Sequence, residues 1–202
     1  MDVKKGHIYH LYNQGNNHGK IFFRKENYNY FLKKIEQHIW PFADLLAWCL
    51  MPNHFHLMIH VNEVEIVSQG FTLSETLTDT KPKKLTLNDS IGIMLRSYTR
   101  AINKQENTSG SIFRKQTKAV CLTNSDNITP SYFDTSEGLQ IYRCNTEKEY
   151  PTVCFNYIHN NPVKAKIVKN QEDWVFSSYS AYLGLSNNIL ANFQRAKELG
   201  LV

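Results

Sequence analysis

The ten residues from Met51 to His60, MPNHFHLMIH, decide how this chain folds. Strand side chains alternate between faces, so His54, His56, Met58 and His60 share one face while Phe55, Leu57, Ile59 and Val61 share the other. The second face is apolar and fit for a core. The first gathers imidazoles and needs another purpose. Just upstream, Asp44 to Leu50 is a further apolar run, and Met51-Pro52-Asn53 supplies turn chemistry. The two runs therefore predict an antiparallel hairpin in the middle of a sheet.

Working outward, His7 to Gln14 reads as a first strand, followed by the turn-like Gly15-Asn16-Asn17-His18-Gly19. Between Asn27 and Trp40, Tyr28, Phe31, Leu32, Ile35 and Ile39 recur at helical spacing, and Pro41 ends the helix. Val64 to Pro82 has weak periodicity and reads as a connection with a short helix near its start. Asn88 to Gln105 is a second helix, capped at Asn88, Asp89 or Ser90, with Ile91, Leu95, Tyr98 and Ile102 along one stripe. On pattern alone that stripe makes Tyr98 a core residue. Ser111 to Leu122 carries a further strand, and the polar insert at about 123–149 holds one more at Leu139 to Tyr142. Pro151 opens a third helix that stops at Asn160-Asn161-Pro162, and a last helix lies around Asn192 to Leu199. This order predicts an α+β, ferredoxin-like antiparallel sheet with helices packed on one face.

The chain has 202 residues, enough to bury a core in one domain, and it is 42% hydrophobic. No apolar run approaches the roughly 18 to 20 residues that span a bilayer, and the N-terminus lacks a signal-peptide core, so no membrane partner and a cytoplasmic location are expected. Its four cysteines form no CxxC pair, which argues against a zinc knuckle or a disulfide frame. The net charge of +5 is modest, but the cations cluster in Lys81 to Lys84, Arg96 to Lys104, Arg114 to Lys118 and Lys164 to Lys169. Such clusters suit nucleic acid, and a solvated surface explains many of them equally well.

Two imidazoles at i and i+2 lie about 7 Å apart at Cα and can converge on one metal ion, leaving positions open for substrate. The pair does not choose the metal. Ordinary strand histidines on a half-exposed face account for it as well. The surrounding residues are more specific. Ala47 to His56 reads A-x-x-L-M-P-N-H-x-H, Tyr98 to Asn103 reads Tyr-x-x-x-x-Asn, and Gly110 to Phe113 reads G-S-x-F. Tyr157 to Val163 reads Y-I-H-x-N-P-V, Trp174 to Tyr179 reads W-x-x-S-S-Y, and Gln14 to Phe23 matches an Asn-rich turn more loosely. In this order, from about residue 7 to residue 182, the chain resembles the REP-associated tyrosine transposases, a bacterial branch of the single-tyrosine HUH transposases.

The resemblance implies one catalytic domain over 1–202, with the insert at about 123–149 and a C-terminal extension from about 164. It implies a metal-dependent endonuclease and strand transferase that cuts and rejoins single-stranded DNA near hairpins. A helix-borne tyrosine attacks phosphorus, leaving a 5'-phosphotyrosyl link and a free 3'-hydroxyl. By this resemblance Tyr98 is the nucleophile and His54 and His56 hold Mg or Mn. A third ligand is expected about one turn after the tyrosine, but Tyr98 plus four is Ile102, which cannot ligate. Asn103 is the nearest candidate, with His60 and His159 as others. Arg96, Arg100 and Lys104, spaced by four on the tyrosine helix, with Arg114 and Lys118 after the Gly110 turn, are expected to contact phosphates. Single-stranded or hairpin DNA and a second copy of the chain are the expected partners. Two alternatives stay open: a hairpin-binding protein that no longer cleaves, suggested by the apolar residue at 102, and a metal-dependent hydrolase with no covalent intermediate.

Overall fold

The computed structural model describes residues 2–68, 83–123, 131–135, 138–142, 149–186 and 190–202. Its centre is a four-stranded antiparallel sheet in the order β2-β3-β1-β6, formed by β1 (Ile8–Gln14), β2 (Ala43–Met51), β3 (His54–Val61) and β6 (Lys118–Cys121). The hairpin read from the opening stretch is β2–β3, with Met51 opposite His54 and Cys49 opposite His56. β1 lies on the other side of β3, placing Tyr12 opposite His56, His10 opposite Met58 and Gln14 opposite His54. Opposed residues in an antiparallel pair share a face, so this register brings His10 and Tyr12 beside the histidines of β3.

The apolar face carries Leu11, Leu50, Phe55, Leu57 and Ile59, all essentially inaccessible to solvent. Two helices cover it: α1 (Lys25–His38) and α2 (Leu87–Glu106). The α1 N-terminus is closed by the Asn27 side chain, whose Oδ1 accepts from the Phe23 and Arg24 N–H groups. Tyr28, Phe31 and Ile35 then fall on its buried stripe. α2 begins one residue earlier than the sequence suggests. Its cap is Thr86, whose Oγ1 accepts from Asp89 N–H while the Asp89 carboxylate accepts back from Thr86 N–H. α2 ends at Asn107, in the left-handed region at φ 53°. Phe31 and Phe55 meet at 5.1 Å between ring centroids, so truncating either to Ala is worth about 3–5 kcal/mol.

The histidine face is covered too. α3 (Glu149–Lys164) packs Cys154, Phe155 and Ile158 against Ala47, Cys49 and Met58. The expectation of helices on one face holds for α1 and α2, and α3 adds a layer on the other. Nor does α3 stop at Asn160-Asn161-Pro162: proline removes one ladder hydrogen bond, but Ala165 N–H still bonds to the Asn161 carbonyl at 2.9 Å and carries the helix through.

The expected helix near Val64 is instead β4 (Glu65–Ser68), paired with β5 (Lys83–Thr86). Of the polar insert, the described part includes a hairpin of β7 (Ser131–Thr135) and β8 (Gly138–Tyr142); residues 124–130 and 143–148 lie outside the described residues. Past α3, the C-terminal segment runs along the free edge of β2, where Leu50 N–H bonds to the Phe176 carbonyl and Ser178 N–H to the Trp48 carbonyl. That edge is covered, whereas β6 remains at the margin of the sheet. Two short helices, α4 (Tyr179–Tyr182) and α5 (Phe193–Glu198), follow. No helix among the described residues is long and apolar enough to cross a membrane.

Candidate active site

Because Cys154 and Ile158 face the sheet from α3, Tyr157 and Asn161 fall on the flank of that stripe, over β3 and β1. The Tyr157 ring meets the His56 ring edge-on at 5.5 Å between centroids and the His10 ring at 6.1 Å. One turn later, Asn161 Oδ1 stands 3.5 Å from His54 Nε2. The Asn161 amide nitrogen donates to the Tyr157 carbonyl, which leaves its oxygen as the atom facing the imidazole. His54 and His56 are perpendicular neighbours with centroids 5.0 Å apart.

The tautomers follow from the partners. Asn53 Oδ1 lies 2.6 Å from His54 Nδ1 and can only accept, so Nδ1 carries the proton and Nε2 the lone pair. Two acceptors, His54 Nε2 and Asn161 Oδ1, therefore face each other with no proton between them. Burial holds His54 below the usual imidazole range, with Asn161 working weakly against it, and holds His56 well below, helped by its neighbours His10 and His54. His10 is pushed down to about 4 by burial. All three are neutral at pH 7, the form in which imidazole ligates. The Tyr157 hydroxyl is raised, chiefly by burial, while a side-chain hydrogen bond from Asn161 lowers it in part. Lys164 Nζ sits 5.4 Å from the Tyr157 ring centroid, a cation–π contact.

The donor set fits a divalent ion. Two neutral imidazoles and an amide oxygen are ligands that manganese accepts, and the two facing lone pairs are otherwise unsatisfied by one another. Among the described residues no three His, Cys, Asp or Glu side chains form a group able to hold a metal, and the further oxygen donor beside His54 is the Asn161 amide.

Tyr98 is elsewhere. It is fully buried under α2, on the opposite face of the sheet from His54 and His56, and its hydroxyl donates to the Ile21 carbonyl at 2.7 Å. Phe22, Phe31 and Phe113 surround its ring, and burial raises its hydroxyl far above the ordinary phenol range. The structure does not bring it to the histidines. Asn103 is on that face as well: its amide donates to the Gly110 carbonyl at 2.8 Å and its oxygen accepts from Thr108 Oγ1 at 3.0 Å, tying the end of α2 to the next turn. The other candidate ligands are also occupied. His60 Nδ1 pairs with Asn62 Oδ1 at 3.0 Å, and His159 Nε2 with Ser178 Oγ at 2.7 Å.

Four of the five expected phosphate-binding cations do meet. Arg96, Arg100, Arg114 and Lys118 line, with Lys115, a groove of about 1020 Å³ between α2 and the segment leading into β6. Lys104 is exposed farther along α2 and outside that lining. None of the five lining cations pairs with a carboxylate among the described residues. Lys118 connects the groove to the other face, since its Nζ lies 5.9 Å from the ring of Tyr12, which in turn stacks on His10 at 4.8 Å.

No protein-family model matches the chain, and no curated protein matches it. A solved structure does: that of a REP-associated tyrosine transposase bound to a REP hairpin, at a TM-score of 0.53 and 14% identity, with 95% of this chain and 94% of that one aligned. The fold is that of a REP-associated tyrosine transposase. The resemblance first read from sequence motifs is thus matched in three dimensions over nearly the whole chain. Within this transposase fold, the two motifs that converge are the histidine strand, Ala47 to His56, and the α3 motif, Tyr157 to Val163. Tyr157 and Asn161, at i and i+4, supplied the missing signal: a polar residue one helical turn after a tyrosine.

Proposed function

We propose that this protein is a metal-dependent transposase-like enzyme that cuts and rejoins single-stranded DNA beside a hairpin, with Tyr157 as nucleophile and His54, His56 and Asn161 as metal ligands. The observation that supports it most is the placement of Tyr157 and Asn161, one turn apart on one helix, over the paired histidines of the neighbouring strand. Tyr98 and Asn103, the earlier candidates for these roles, are held in other contacts across the sheet.

In the proposed step the Tyr157 oxygen attacks phosphorus and the bond to the 3'-oxygen breaks. The proton that leaves the phenol balances the one taken up by the departing 3'-hydroxyl, and a 5'-phosphotyrosyl link remains. Religation is the reverse. A bound divalent ion supplies charge stabilisation for the phosphoryl oxygens. The chain's own residues do the rest. Asn161 donates to the Tyr157 carbonyl and keeps its amide beside the tyrosine, Lys164 holds an ammonium over the ring, and α3 covers the histidine face. The phenol ordinarily titrates near 10 and burial raises it, so its ionisation must be assisted within the site.

Hairpin DNA is the proposed partner, since the structurally similar transposase is bound to one. Its phosphates would follow the groove of Arg96, Arg100 and Arg114 around the margin of the sheet to Lys118, with Lys104 adding charge beside the path. The non-cleaving alternative drew its support from the apolar Ile102, and with Asn161 four residues after Tyr157 that objection does not arise. The test is incubation with manganese and end-labelled single-stranded hairpin DNA from the region flanking the gene. Label migrating with denatured protein, absent in Tyr157→Phe and in His56→Ala, is the expected result. Tight binding without any covalent product in the wild type would select the binding-protein reading instead.

A further inference from the structure

We propose that His10, on β1, is a positioning residue that fixes the tautomer of His56 and so sets the metal affinity of the site. It rests on the metal-dependent reading above, and no sequence motif points to it.

His10 Nε2 lies 2.8 Å from His56 Nδ1, with the rings near parallel at 27° and centroids 5.0 Å apart. The contact is a diagonal cross-strand pair, created by the register that sets His10 opposite Met58 and Tyr12 opposite His56. One proton lies between the two nitrogens, and its ownership matters. If His10 donates, a neutral His56 must carry its proton on Nε2 and has no lone pair to offer there. If His56 donates from Nδ1, its Nε2, which has no hydrogen-bond partner among the described residues, is free to ligate. The second arrangement makes His56 match His54, whose Nδ1 proton is already committed to Asn53 Oδ1. Both ligands then present Nε2.

In metal sites the acceptor behind a ligating imidazole is most often a carboxylate, a carbonyl or water. Here the acceptor is a neutral imidazole, fixed in turn by stacking on Tyr12 at 4.8 Å and 29°. His10 and His56 are both buried, so the pair is shielded from bulk solvent. A carboxylate at this place would add a buried charge. An apolar residue would fill the space and leave the His56 tautomer unspecified.

The experiment compares wild type with His10→Gln and His10→Leu. Glutamine can place its carbonyl oxygen near the position of Nε2 and accept the same proton; leucine fills similar volume and cannot. Mn(II) affinity by calorimetry should fall about 10- to 100-fold in His10→Leu and stay near wild type in His10→Gln. Thermal melts establish that both variants are folded. In the metal-free wild type, 15N-labelled histidine resonances should show His56 protonated on Nδ1, a measurement that needs no variant. His56 protonated on Nε2, or unchanged affinity in His10→Leu, would overturn the positioning role while leaving the nucleophile and ligands untouched. Equal loss in both variants would also overturn it. Absence of Mn(II) binding by the wild type would remove the metal reading and this inference with it.

Discussion

Replacing the two tyrosines one at a time by phenylalanine should separate stability from chemistry. In Tyr98→Phe the ring keeps its contacts with Phe22, Phe31 and Phe113, and only the 2.7 Å hydrogen bond to the Ile21 carbonyl is lost. A neutral intramolecular hydrogen bond is worth about 1 kcal/mol net, and leaving a buried acceptor unsatisfied raises the cost to about 1–3 kcal/mol. For a chain of this size 1 kcal/mol lowers Tm by about 2–4 °C, so a drop of roughly 2 to 12 °C is expected. DNA cutting, assayed well below that Tm, should be retained. Tyr157→Phe should show the opposite pattern. Its hydroxyl is half-buried beside Asn161, so Tm should shift by no more than about 2 °C, yet cutting should fall to background. Denaturation curves and hairpin cleavage by the same preparations give both readouts. Cutting lost in a folded Tyr98→Phe protein, or retained in Tyr157→Phe, would refute the reasoning.

Asn161→Leu should weaken Mn(II) binding at least tenfold in calorimetry while the protein stays folded, because the helix around it is held by Ile158 and Cys154. Substituting Arg96, Arg100 and Arg114 together by Gln should reduce the salt slope of DNA binding by roughly 2 to 3, read from affinity against salt concentration, without changing the cutting rate of DNA already bound. Acid should destabilise the fold through His159, which burial pushes down to about 3. The unfolded chain takes up that proton near 6.5 and the folded chain does not, so this stability is present above 6.5 and is lost as pH falls toward 3. At pH 5 the loss from this group is about 2 kcal/mol, and urea titrations should show His159→Gln losing about that much less between pH 7 and pH 5.

The hairpin was legible in the sequence because β3 alternates cleanly, and so was α1 because its buried positions recur at helical spacing. Tyr98 is instructive. Its place on a stripe with Ile91 and Ile102 identifies it as core by periodicity, and the structure puts it there. The motif resemblance pulled the other way. Tyr157 was hidden because Asn160-Asn161-Pro162 carries the local chemistry of a helix stop, which separates the tyrosine from the amide that lies one turn beyond it. Tertiary packing of Cys154, Phe155 and Ile158 on the sheet holds α3 through the proline, outweighing a local preference of the kind sequence patterns express. His10 was out of reach for another reason. A lone histidine in a strand acquires its partner only through cross-strand register, and register is not written in either strand alone.

The most direct test is to find which tyrosine carries the DNA. Wild-type protein would be reacted with hairpin-flanked single-stranded DNA and manganese, then digested with nuclease and protease, and the peptide bearing the residual nucleotide sequenced by mass spectrometry. The modification is predicted on Tyr157, in the peptide that also contains Asn161. Its appearance on Tyr98, or on Tyr12 beside His56, would contradict the account.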